Sequence, residues 1–219
     1  MVGILVVSVR WLAHSSFQIT TEGRIVYVDL EMYGEASEKA DLILVTHSHT
    51  DHCDPEKIGK LSGSETVVIA PADCASKIGG NVKTLKPGEE ATVGKVRVKA
   101  VQAYNIKRFR SPGIPFHPKG YGVGYLITIG GKTVYHAGDT DFIPEMRELG
   151  PVDLALLPSG DIYTMNNAEA TEAALAINPK IAVPMHRLSS NPEEFRKRVE
   201  GSSKVRVSIL QEGEEVILK

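Results

Sequence analysis

Thr46-His47-Ser48-His49-Thr50-Asp51-His52 follows directly on the apolar run Leu42-Ile43-Leu44-Val45. A short apolar run ending in imidazoles and a carboxylate reads as a buried strand that delivers side chains to the mouth of a sheet. If the chain stays extended at the start of the segment, His47 and His49 project to the same side, because strand side chains alternate with period two. Asp51 and His52 follow where the chain turns into a loop or helix, and can face a second point nearby. Mixed imidazole and carboxylate donors suit Zn, Fe, Ni or Mn better than Ca or Mg. The segment therefore predicts a metal site at the end of a strand.

The same pattern recurs along the chain. Residues 2–9, 16–20 and 24–28 read as strands, the third ending in Asp29. Asp54-Pro55-Glu56 reads as a cap followed by proline at the first helical position, opening a short helix to about residue 61. A strand over 66–70 leads to a second short helix at Pro71-Ala72-Asp73, and strands follow at 82–85, 91–93 and 96–101. Residues 102–120 break the periodicity and hold Lys107, Arg108, Arg110 and His117; a loop of that length is usually functional or disordered. A hairpin over 121–129 and 133–135, turning at Gly130-Gly131, ends in His136-Ala137-Gly138-Asp139-Thr140-Asp141. Residues 144–149 make a helical turn or two. A strand over 152–157 runs into Pro158-Ser159-Gly160-Asp161. A helix over 167–177 has Asn167 as its cap and Asn178-Pro179 as its end. A strand over 181–183 runs into Pro184-Met185-His186-Arg187, a last helix opens at Asn191-Pro192, and strands at 205–209 and 215–218 finish the chain. Asp29, His47, Asp139, Asp161 and His186 all follow apolar strand runs. That shared position is where sites form in α/β sheets, so scattered residues can converge on one edge.

With 219 residues the chain suffices for one large domain over 1–219, built as two closely packed halves. A net charge of −2 gives no hint of a nucleic-acid partner, which usually needs a basic face, and leaves local basic patches open. The apolar opening Val2-Gly3-Ile4-Leu5-Val6-Val7 is too short for a membrane span and lacks the marks of a cleaved leader, so a cytoplasmic protein is the expectation. Cys53 and Cys74 make no disulfide framework, and Cys53 reads as a free thiol.

His47-x-His49-x-Asp51-His52 resembles the signature motif of the metallo-β-lactamase superfamily. The resemblance extends to Asp29, to Tyr135-His136-Ala137-Gly138-Asp139-Thr140 and to Pro184-Met185-His186, in the expected order. Trp11-Leu12-Ala13-His14-Ser15-Ser16-Phe17 and Gly160-Asp161-Ile162-Tyr163-Thr164-Met165 look more narrowly like the branch of stand-alone metal-dependent hydrolases similar to ascorbate-6-phosphate lactonase. The resemblance implies an α/β fold, a four-layer αββα sandwich of two mixed sheets with helices outside and the site at one edge. It also implies two divalent ions, zinc first with Mn, Ni or Fe open. One would be held by His47, His49 and a third histidine, the other by Asp51, His52 and His186, with Asp139 bridging and Asp29 orienting a ligand histidine. Asp51 and Asp139 would then be the catalytic acids, around a hydroxide shared by the two ions.

Where the third histidine should follow the strand over 96–101, Gln102-Ala103-Tyr104-Asn105 stands instead. Asn105 or Gln102 supplies an oxygen, or the first metal has fewer ligands, or His117 swings in from the loop, stiffened by Pro115 and Pro118. Tyr104 and Asn105 are also candidates for substrate contact, as are His14 and Arg187, the latter as an anion site. Asp161 is expected to act behind the ligands, holding the loop with Tyr163 and Met165. His136 is either near the site or a packed core residue. Lys107, Arg108 and Arg110 are either an anion clamp or a solvated loop, and the second is favoured. The leading function is a metallo-hydrolase acting on an ester, lactone or phosphoester of a small anionic substrate. A phosphodiesterase or nuclease, an iron-dependent redox protein, a degenerate metal-binding module and a homo-oligomeric state stay open.

Overall fold

The structure is a computed structural model that describes residues 5–219. The first half of the chain runs through β1 (Val7–Ala13), β2 (Ser16–Thr21), β3 (Arg24–Val28) and β4 (Ala40–Leu44). It continues with α1 (Pro55–Leu61), β5 (Ser62–Ala70), α2 (Ala72–Ile78) and β6 (Val82–Thr84). The second half begins with β7 (Glu90–Val93), β8 (Val96–Ala103) and the small pair β9 (Phe109–Ser111) and β10 (Ile114–Pro115). Next come β11 (Gly122–Ile129), β12 (Lys132–His136), a 3-10 turn over Pro144–Glu148 and β13 (Leu154–Pro158). The chain ends with α3 (Asn167–Ile177), β14 (Ile181–Met185), α4 (Pro192–Ser202), β15 (Arg206–Val207) and β16 (Glu215–Leu218).

Two mixed seven-stranded sheets result, ordered β16-β1-β2-β3-β4-β5-β6 and β15-β14-β13-β12-β11-β8-β7. In the strand preceding the histidine motif, Leu42 and Leu44 enter the core shared by both sheets, while Ile43 and Val45 pack with Ile58, Leu61 and Cys74 of the first helical layer. Each fully buried Leu or Ile stabilises by about 1.5–3 kcal/mol, so a shift by one residue would exchange both faces at once. The second sheet is covered by α3 and α4, whose Ala170, Ala173, Phe195 and Val199 join the same core. This is the expected αββα sandwich.

Three expectations need correction. The first strand runs from Val7 to Ala13, not over 2–9, because Val7, Val9 and Trp11 are the alternate residues that reach the core; residues 2–4 lie outside the described residues. The stretch 102–120 is ordered around the β9–β10 pair and is pinned by the buried Asp141 carboxylate. Its Oδ2 accepts the backbone N–H groups of Ile106, Lys107 and Arg108 at 2.7, 2.6 and 3.3 Å. The cap of α3 is Asn166: its side chain accepts from Glu169 N at 2.9 Å, while the Glu169 carboxylate accepts from Asn166 N at 3.2 Å. Asn167 is already helical, and its amide donates to Asn191 O instead.

The sandwich is tied together at the edge where the motif lies. Val123 N donates to Thr46 O at 2.9 Å, the Tyr125 hydroxyl to Val45 O at 2.8 Å, and His186 N to His14 O at 3.0 Å. His136 Nε2 donates to Ser15 O at 2.9 Å, making His136 a packed core residue rather than a site residue. The approach is close enough that a Cβ on Gly122 would stand 3.0 Å from His47 Cβ. Asn166→Ala removes half of the reciprocal cap of α3 and is expected to lower unfolding free energy by about 1 kcal/mol in urea titration; an unchanged midpoint would deny the cap its role.

Candidate metal centre

The parallel strands β3, β4, β12, β13 and β14 end on one edge, and their C-terminal loops carry the site. β3 ends in Asp29, held in the left-handed region at φ 49°; His14 and His186, both at φ 45°, lie in the same sparsely populated region. Such backbone clusters at functional sites because the surrounding packing over-determines it. Asp29 Oδ1 accepts from Thr46 N at 2.7 Å. Its Oδ2 accepts from Thr46 Oγ1 and from His52 Nδ1, both at 2.7 Å. Because the Thr46 hydroxyl donates to Asp29, it accepts from His47 Nδ1 at 2.9 Å. One carboxylate thereby fixes the ring orientation of two histidines, engaging both Nδ1 atoms and turning both Nε2 atoms to the centre.

Three groups of donor atoms converge there: His47, His49 and His117; His14, Asp51, His52 and His186; and His47, His52 and Asp139. In the first, His49 Nδ1 lies 3.1 Å from His47 Nε2 and 3.2 Å from His117 Nε2. Tetrahedral Zn–N bonds of 2.0–2.1 Å imply N···N edges of about 3.3 Å, so the spacing is that of a ligand set. Asp139 joins the groups. Its Oδ1 is 3.4 Å from His52 Nε2, and its Oδ2 is 3.4 Å from His117 Nε2 and 3.2 Å from His186 Nε2.

His117 is the histidine that the structure brings beside His47 and His49. Asn105 is its support rather than an oxygen donor: Oδ1 accepts both His117 N and His117 Nδ1 at 2.8 Å, and Nδ2 donates to Tyr163 O. Gln102 Oε1 is buried without a hydrogen-bond partner. Tyr104 turns away from the centre, its hydroxyl donating to the Glu145 carboxylate and its ring lying beneath Lys119. Asp161 touches no ligand; it accepts from Arg108 and its backbone N–H bonds Met165 O, so it holds the loop without reaching the histidines. Arg108 is neither clamp nor solvated, being fixed by Asp141, Asp161 and Glu169, while Lys107 pairs with Glu169. His14, expected at the substrate, joins the second donor group, 3.4 Å from Asp51 Oδ2. Arg187 stacks over Trp11 at 4.3 Å and donates to Leu210 O. Cys53 and Cys74 are buried free thiols.

The donor set fits metal ions by a direct criterion. His14 Nε2, His52 Nε2, Asp139 Oδ1 and both His186 ring nitrogens are buried without a hydrogen-bond partner. The short His186–Asp139 approach lacks the alignment of a bond. Leaving such atoms unmade costs about 1–3 kcal/mol each, and cations between them remove that cost. Burial keeps His47, His49 and His14 below the ordinary histidine range and lowers His117 to about 4, so they present lone pairs at neutral pH. Burial also opposes charge on His52, but Asp139, Asp29 and Asp51 outweigh it and raise that imidazole to about 10. Against burial, His186 and His52 hold Asp139 well below the carboxylate range. His14 and His52 do the same for Asp51, whose side chain is 48% exposed.

Two pockets meet at Asp51. One of about 550 Å³ is lined by His49, His117, Asp139, Lys77, Phe116 and Tyr163. The other, of about 400 Å³, includes Trp11, His14, Glu31, Tyr33 and Arg187. Glu31, Thr46, Lys77 and Tyr121 escaped the sequence reading. Thr46 lies inside the quoted motif, but an isolated Glu31 or Lys77 carries no local signal.

This fold and donor set define a class. Residues 8–186 match the beta-lactamase superfamily domain, and the chain belongs to the metallo-β-lactamase superfamily, among its metal-dependent hydrolases. A UPF0173 metal-dependent hydrolase of Pyrococcus abyssi is 35% identical over 97% of this chain and all of that protein. The crystal structure of a Parabacteroides distasonis protein named as a metal-dependent hydrolase superposes with a TM-score of 0.86 at 34% identity, over 93% of this chain and 92% of the other. Igni18, a metallo hydrolase of Ignicoccus hospitalis, superposes with a TM-score of 0.79 at 27% identity, over 98% and 99%. No helix among the described residues is long and apolar enough to cross a membrane.

Stripped of metal, the protein should be most stable near pH 6.5. Below it the unfolded chain takes up protons that buried His117 refuses until about pH 4. Above it the stability contributed by charged His52 is lost progressively towards pH 10. Urea titrations of chelator-treated protein across this range test it, and stability that keeps rising above pH 7 would contradict it.

Proposed function

We propose that the chain is a dinuclear metallo-hydrolase for an ester, lactone or phosphoester of a small anionic substrate, with zinc as the first expectation and Mn, Ni or Fe admissible. The observation that supports the reading is Asp139, a buried carboxylate within 3.4 Å of both donor groups: His52 and His186 of one and His117 of the other. His47, His49 and His117 would hold one ion, and Asp51, His52 and His186 the other, with His14 beside them. Two bound divalent ions would bring the pKa of a coordinated water towards neutrality and polarise the group under attack.

The chain's own residues supply the rest. Asp29 and Thr46 hold His47 and His52 in the orientations that present Nε2. Asp51 is ionised and reachable from both pockets, so it can orient the water or take its proton. Lys77, which donates to Ser48 O at 2.6 Å, and Arg187 place positive charge beside the centre for an anionic substrate. Serine or cysteine chemistry is not required. Pockets of about 400 and 550 Å³ suit a small molecule, and Lys107 and Arg108, engaged with Glu169, Asp141 and Asp161, offer little to a polyanion.

Elemental analysis of protein purified without chelators should return two ions per chain, and His117→Ala should reduce this towards one. An unchanged two ions with unchanged activity would remove His117 from the site. Asp139→Ala is expected to lower kcat on whichever ester, lactone or phosphodiester of a model panel is turned over by about a hundredfold or more. Full activity in Asp139→Ala, or in protein whose metal has been removed, would sink the hydrolase reading; an iron spectrum would favour the redox alternative.

A further inference from the structure

The pocket on the His14 side of the centre holds an acid outside all three donor groups. Glu31 lines it, is 2% exposed, and leaves Oε1 buried without a hydrogen-bond partner. Its position is not loose: Asp54 N donates to Leu30 O at 2.8 Å, and Leu30 bridges to Cys53. Lys57 directs its ammonium to the backbone oxygens of Glu31, Tyr33 and Gly34 rather than to the carboxylate. Burial accordingly raises the Glu31 carboxyl to about 7. A buried acceptor left in that state is costly unless something outside the chain completes it.

Arg187 lines the same pocket. Its guanidinium is set over Trp11, and one nitrogen is occupied by Leu210 O. Trp11, Tyr33 and Leu188 give the pocket apolar wall as well. An oriented cation and an uncompleted acceptor in one pocket call for a ligand with complementary groups.

We propose that this pocket selects the substrate, Arg187 receiving its anionic group and Glu31 a hydroxyl or ammonium hydrogen, so that the preferred class is a small acid that also carries a hydrogen-bond donor. The inference rests on the hydrolase reading for the word substrate, but not for the binding itself. A donor reaching Oε1 stabilises the ionised carboxyl and returns it towards the ordinary range. A site built around such a contact rejects the analogue lacking the donor far more strongly than an apolar pocket rejects a missing methylene, because its own polar group is then stranded.

Calorimetric binding of mandelate, 2-phenylglycine and phenylacetate to the metal-loaded protein tests this, since the three share a ring and carboxylate and differ in the donor. Wild-type protein should bind mandelate or phenylglycine at least about tenfold tighter than phenylacetate. Glu31→Met should reduce the preference to within about twofold without changing metal content, Glu31→Gln should retain part of the preference for the hydroxyl, and Arg187→Gln should weaken all three ligands. Equal binding of the three to wild type, no binding of any, or a preference that survives in Glu31→Met (as chelation by the hydroxy acid would give) overturns the proposal. A donor preference in a protein that hydrolyses nothing would remove the hydrolase reading and leave the pocket; hydrolysis without the preference would do the reverse.

Discussion

A single buried carboxylate, Asp29, sets the orientation of one histidine in each half of the centre. It reaches His52 directly and His47 through the Thr46 hydroxyl, and it also accepts the Thr46 backbone N–H at the point where β4 gives way to the motif. The end of the strand, the ring orientations of these histidines and the direction of their Nε2 atoms are therefore one network. Its position demands a left-handed backbone that a non-glycine residue adopts only when its surroundings impose it. The surroundings do so: Asp29 N is bonded to Leu44 O, and Ser16 Oγ donates to Asp29 O.

The second half of the centre solves the same problem with different parts. His117 comes from a loop, and loops do not hold an imaginary line of hydrogen bonds as strands do. Asp141 gathers three consecutive N–H groups of that loop and pairs with Arg108, while Asn105 accepts both the backbone and the ring N–H of His117. Arg108 extends the restraint to Asp161 and to the first turn of α3 through Glu169. Arg108, read in one dimension as part of a solvated loop or an anion clamp, is thus the internal bracket of the loop that carries His117.

Two pockets meet at Asp51, one on the His117 side of the donor set and one on the His14 side. The centre itself is a dense set of imidazoles with the ionised carboxylates of Asp51 and Asp139, a donor set that fits cations. Around it stand groups of different character: Lys77 and the aromatic pair Phe116 and Tyr163 on one side, Arg187 on Trp11 and the isolated Glu31 on the other.

What the sequence determined by itself was whatever is local and periodic. The run 42–45, the Asp54-Pro55 and Asn191-Pro192 helix starts and the spacing of His47, His49, Asp51 and His52 each depend on neighbours within a few residues and were legible directly, while the sandwich and the ligand sets were expected from the family resemblance that these motifs carry. What only the tertiary structure decided depends on residues far apart meeting. His117 lies beside His47 and His49 because a hairpin and Asp141 fold its loop inward; Tyr104 and Asp161 stand away from them because Glu145 and Arg108 hold them elsewhere. His14 joined the centre because His186 N bonds its carbonyl across the two sheets. Glu31 was invisible for the same physical reason: an acid becomes informative only when burial removes its water and nothing in the fold replaces it.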